Sequence, residues 1–154
     1  MTNSQVSGDI ASFVGKCELT IANVKIQFPG EIIQIERWED RIIVCFSDQS
    51  AKWDDYKSSD PVVLKRFFEL ARTLDRCIWA FDLDGSLVWK IPEAYPEADQ
   101  IARGVPENKR IHAGYVGFFL LANGTVKGIT DEGNRVVVRI SDGALISRSE
   151  ASKM

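Results

Sequence analysis

Much of what would assign a chemistry to this chain is scarce in it. A single histidine, three cysteines and five prolines occur in 154 residues, and each scarcity excludes something. One histidine, His112, cannot build a multi-histidine metal centre, and beside Gly114 it reads as a bystander. Cys17, Cys45 and Cys77 are odd in number, far apart and never spaced as C-x-x-C, which argues against a disulfide scaffold or a zinc knuckle. Each lies in or beside an apolar run, so buried free thiols are expected. Cationic excess is also missing: 22 acidic residues stand against 19 basic ones, a net charge of -3. Without a positive field to hold a phosphate backbone, no direct nucleic-acid contact is expected. No segment approaches the length of a membrane span, and residues 1–8 lack the basic start and apolar stretch of a secretion signal. The expectation is a cytoplasmic protein without membrane contact, and no residue pattern asks for a metal or cofactor.

What is present is the material of one globular domain. A chain of this length that is 45% hydrophobic and 27% charged can bury a core without staples, so 1–154 is expected as a single domain with loose ends at 1–12 and 149–154. Apolar residues alternate from Val14 to Phe28 but change parity at Ala22-Asn23, which places a bulge or tight turn there. Pro29-Gly30 breaks the chain, and residues 32–36 and 42–46 then flank the polar corner Trp38-Glu39-Asp40 as a hairpin. Residues 47–60 read as polar loop. Asp60 followed by Pro61 is a helix start, a carboxylate N-cap and a proline at the first helical position. Val63, Leu64, Phe67, Phe68, Ala71 and Leu74 recur at spacings of three and four, predicting an amphipathic helix over about 61–76 packed on a sheet.

Residues 78–91 read as an aromatic hairpin with two candidate registers. A two-residue Asp84-Gly85 turn would pair Trp79 with Lys90 and Asp82 with Leu87. A three-residue Leu83-Asp84-Gly85 loop pairs Phe81 with Leu87, Trp79 with Trp89, and Asp82 with Ser86 beside the turn. The second register puts the aromatics together and is the one expected. Residues 92–109 form a proline-punctuated connection with at most a short helix near 98–102. A meander follows over 115–147, with turns at Asn123-Gly124, Glu132-Gly133 and Asp142-Gly143 and a frayed tail from Arg148. The fold class is therefore α+β: mainly antiparallel hairpins, as an open sheet or partial barrel, with one amphipathic helix.

Two resemblances attach to the hairpin. Phe81-Asp82-Leu83-Asp84-Gly85-Ser86 resembles the nucleophile motif of haloacid-dehalogenase-type phosphatases. That likeness implies Asp82 attacking phosphorus, Asp84 as general acid and base, and a magnesium ion. The family's motif strand comes early and is followed by parallel strands and helices; here it lies past the midpoint and hairpins follow. The same letters suit a turn, with Gly in its left-handed position. The phrase Ile78-Trp79-Ala80-Phe81-Asp82, Gly85 and Leu87-Val88-Trp89 is also similar to the aromatic hairpin of quinoprotein-type propeller blades. A set of small, mostly uncharacterised bacterial β-rich proteins carries that phrase once, and Asn123-Gly124, Gly133-Asn134-Arg135-Val136 and Asp142-Gly143 are similar to their second half. Some of that set are immunity proteins, which by analogy implies an inhibitor of a toxin.

Aromatic residues set among acids in expected loops mark where a partner could bind: Trp38, Glu39 and Asp40, and Trp53, Asp54, Asp55 and Tyr56. Trp and Tyr concentrate interface energy, and neighbouring carboxylates select a basic partner. The leading expectation is a non-catalytic binding protein whose partner is a basic protein such as a toxin domain. A magnesium-dependent phosphatase and a structural or adaptor module are the alternatives.

Overall fold

Among the described residues ten short strands form, most of them from alternating or continuous apolar runs and most joined by tight turns. The computed structural model describes residues 10–47 and 57–150. After a 3-10 turn at Ile10–Phe13, strands β1 (Glu18–Ile21) and β2 (Val24–Gln27) form a hairpin. Its two turn residues, Ala22 and Asn23, both have positive φ, so the change of parity in the sequence is a tight turn. Strands β3 (Glu31–Trp38), β4 (Arg41–Ser47), β5 (Ile78–Asp82) and β6 (Leu87–Lys90) form one antiparallel sheet in that order. Strands β7 (Tyr115–Leu121), β8 (Thr125–Thr130), β9 (Arg135–Arg139) and β10 (Leu145–Ser149) form a second meander. No barrel closes among the described residues.

The first four-stranded sheet is covered on both sides, which is why β4 reads as the unbroken apolar run Ile42-Ile43-Val44-Cys45-Phe46, all buried. On one face Ile42, Val44 and Phe46 pair in register with the side of β5 that carries Trp79 and Phe81. Phe28 closes this face, its ring 5.4 Å from those of Phe46 and Trp79 and 6.0 Å from Phe81. On the opposite face Ile43, Cys45, Ile78, Ala80 and Trp89 share one core with Tyr115, Phe118, Val126, Val136 and Val138 of the second sheet and with Ile140 just after β9.

The edges of the two sheets are joined by a side chain. Gln34 Nε2 donates to the Phe118 carbonyl at 2.9 Å and its Oε1 accepts from the Phe118 N–H at 2.8 Å. The Gln34 amide thus takes the place of a strand along β7. Both strands carry a bulge at this point, between Ile32 and Gln34 and between Tyr115 and Gly117, which turns the glutamine and the Phe118 peptide toward each other.

The expected helix is α1 (Pro61–Leu74), two residues shorter than predicted; Asp60 Oδ1 accepts from the Val62 N–H at 2.9 Å, as its N-cap position requires. Leu70 and Leu74 reach the shared core, and Phe68 and Ala71 are buried. The short helix α2 (Glu97–Ala102) lies where one was expected. Glu97 ties it to α1, accepting from Arg72 at 3.0 Å and from Arg110 at 3.0 Å. Within the described residues, no helix is long and apolar enough to cross a membrane.

Three sequence expectations are corrected. Trp79 does not pair with Trp89: Val88 is an extra residue in a bulge, so Trp79 lies opposite Lys90 and Ala80 opposite Trp89, while Phe81 still faces Leu87. The bulge sends the indoles to opposite faces, and each N–H finds its own acceptor, Arg76 O at 2.7 Å for Trp79 and Ile140 O at 2.8 Å for Trp89. Cys17 is exposed, because it precedes β1, whereas Cys45 and Cys77 are buried. Arg148 and Ser149, expected in the frayed tail, are the last residues of β10.

Candidate functional site

The turn Glu39-Asp40 joins β3 to β4, and the register brings other turns to the same end of the molecule. Trp38 closes β3 opposite Arg41 and is half-buried against the core. Glu39 has a φ of 51° and its carbonyl accepts from Arg37 Nε at 2.9 Å; its side chain is exposed. Asp40 is 75% exposed at the tip, 3.5 Å from Arg41. Trp53, Asp54, Asp55 and Tyr56 lie outside the described residues.

Arg41 organises this end. Its guanidinium is mostly buried, pairs with Asp82 across β4 and β5, and donates to the carbonyl of Ser141 at 2.9 Å. One side chain therefore ties the β3–β4 turn to the start of the β5–β6 turn and to the β9–β10 turn. Outward from it stand Glu39, Asp40, Asp84 and Asp142, which sequence reading had not grouped. Asp84 Oδ1 accepts from the Ser86 N–H at 2.9 Å, a bond that holds its carboxyl below the usual range and so keeps it charged. Asp142 Oδ1 accepts from the Ala144 N–H at 3.0 Å, and its other oxygen lies 3.3 Å from Arg139.

The phosphatase-like letters occupy this same end. The Asp82 N–H donates to Ser86 O at 2.9 Å and the Gly85 N–H to Asp82 O at 3.0 Å, with Gly85 at a φ of 90°. Residues 78–91 thus double back as an antiparallel ribbon, with the Asp82 carboxylate engaged by Arg41 and the Asp84 carboxylate by its own turn. Among the described residues no group of three or more His, Cys, Asp or Glu is placed to hold a metal ion.

This chain matches no known family model, no curated protein and no solved structure. Its own geometry therefore carries the functional argument.

A second constellation escaped the sequence reading. Asp75, just after α1, receives the Ala113 N–H on Oδ1 at 3.0 Å and His112 Nδ1 on Oδ2 at 2.6 Å. Both side chains are nearly fully buried, 4% and 3% exposed, so His112 is a held group and not a bystander. Burial pushes the Asp75 carboxyl up, and the bonds from His112 and Ala113 offset part of that. Among the described residues, His112 Nε2 finds no hydrogen-bond partner. An Asp–His pair of this kind fixes the ring and is one half of a general base, but a nucleophile is also needed. The nearest thiol in the chain, Cys77, instead hydrogen-bonds the Tyr115 carbonyl at 3.5 Å. Cys45 is pushed far up by its bond to Cys77 and by burial, so it stays an unreactive thiol. Asp75 and His112 are 37 residues apart and no local pattern links them.

Proposed function

We propose that this chain is a non-catalytic protein-binding protein that meets a basic partner with its turn-cluster end, in the manner of an immunity protein covering a toxin domain. One observation carries the reading: Arg41 draws three turns together and leaves Glu39, Asp40, Asp84 and Asp142 facing outward. Clustered carboxylates on short, hydrogen-bonded turns steer a cationic partner and lose little entropy on contact. Trp38, half-buried beside them, supplies an apolar anchor. A cytoplasmic site of action belongs to the same reading.

The test is association with the protein encoded by the neighbouring gene, measured by stopped-flow or surface plasmon resonance. Asp40→Lys with Asp142→Lys should lower the association rate roughly tenfold and flatten its salt dependence. No binding to the neighbour's product, or an unchanged rate in the double variant, would refute the reading. The phosphatase alternative predicts magnesium-dependent turnover of a phosphomonoester that Asp82→Asn abolishes. The adaptor alternative predicts self-association in light scattering at rising concentration.

A further inference from the structure

The second sheet turns one face to the core and the other to solvent, and its register settles which side chains the outer face carries. Lys127 stands between Phe119 and Val137 across β7, β8 and β9; Arg135 lies beside Ile129, and Arg139 beside Thr125. No acidic side chain stands on these rows of β7 to β10. Arg139 is paired with Asp142, whereas Lys127 and Arg135 make no ion pair among the described residues. Phe119 is 58% exposed and Val116, in the β7 bulge, 55%.

A chain with a net charge of -3 thus keeps the strand rows of one sheet face free of acids and sets a central cation, Lys127, between the apolar Phe119 and Val137, with Arg135 on the next row. We infer that this face is a docking surface for an acidic protein that presents carboxylates interspersed with apolar side chains. It adjoins the turn-cluster end at the Arg139–Asp142 pair but carries the opposite charge, so it does not depend on the function proposed above. Two copies of this chain packed face to face would bring like charges together in a desolvated contact, which opposes self-association here. Single-stranded nucleic acid needs a succession of aromatic platforms for successive bases, and Phe119 is the only aromatic on the outer rows. Cations set among exposed apolar side chains, with no acid on the strand rows, are instead the complement of an acidic protein surface.

Titration with the acidic copolymer poly(Glu,Tyr), followed by amide chemical shifts, tests the inference. Shifts should fall on β7 to β10, and the affinity should drop roughly fivefold between about 50 and 300 mM salt. Phe119→Ser should weaken binding about fivefold and Lys127→Glu with Arg135→Glu at least about tenfold, while Glu69→Gln on the exposed side of α1 leaves it unchanged. Because all three altered side chains project to solvent, unchanged thermal midpoints will verify that the variants fold. The inference is overturned by shifts mapping elsewhere, by wild-type affinity in the double reversal, or by tighter binding of oligothymidylate through the same residues. A concentration-dependent dimer that Phe119→Ser dissolves would overturn it as well.

Discussion

Replacing Gln34 with leucine keeps the volume near the seam between the sheets and removes both hydrogen bonds to Phe118. Phe118 is 3% exposed, so its N–H and C=O have no route to bulk water without local opening. Each lost bond is worth about 1 kcal/mol net, and each buried group left unsatisfied costs about 1–3 kcal/mol in place of that gain. The expected loss is about 2–6 kcal/mol, a drop in Tm of roughly 5–20 °C for a domain of this size. Gln27→Leu serves as the control, because Gln27 bonds Glu18 on an exposed surface and should change stability by less than about 0.5 kcal/mol. Urea unfolding followed by tryptophan fluorescence gives both values, and an unchanged m confirms that stability alone has moved. Amide exchange supplies a local reading: the Phe118 N–H should lose protection in the Gln34 variant more than its neighbours on β7. A cost below about 0.5 kcal/mol with Phe118 exchange unaltered would mean that the sheets are not joined through this side chain.

Other perturbations test other parts of the structure. Glu97, held by Arg72 and then by Arg110, is lowered from 4.5 to about 2. It therefore contributes stability that is present above its ordinary value and lost as pH falls through about 2. The loss should be at most about 3 kcal/mol, since Arg72 is partly exposed to screening, and thermal midpoints from about pH 5 downward should show this acid slope shrink in Glu97→Gln. Asp75 has the opposite sign: its raised carboxyl contributes stability below its ordinary value that is lost as pH rises through the raised one. Asp75→Asn should transfer the His112 proton from Nδ1 to Nε2, which the nitrogen shifts of this single imidazole report directly; an unmoved proton contradicts the geometry. Gly143 has a φ of 75°, and a Cβ there would lie 2.5 Å from Trp89 Cγ. Gly143→Ala should cost about 3 kcal/mol or more, against about 1–2 for Gly124→Ala, where the φ is also positive but the space is open. Equal losses at the two positions in denaturant titrations would show that Trp89 does not pack as described.

What the sequence determined by itself is the set of local elements. Alternation marks the strands, Asn123-Gly124 and Asp142-Gly143 mark turns, and Asp60-Pro61 marks the start of α1, because each signal depends on residues within one or two turns of chain. The acidic corner Trp38-Glu39-Asp40 was legible for the same reason. Which distant groups meet is not written in any local stretch of chain. Gln34 and Phe118 are 84 residues apart, Arg41 and Ser141 are 100, and Asp75 and His112 are 37; no periodicity encodes such pairs. The bulge at Val88 belongs to the same class. A strict period of two would have stacked Trp79 on Trp89, but one extra residue buries Trp89 on one face and leaves Trp79 half-buried on the other, each with its own hydrogen-bond acceptor. Local pattern is set by chain geometry, whereas the partner of a buried polar group is set by which sheet face closes over it, and that is decided only when the layers pack.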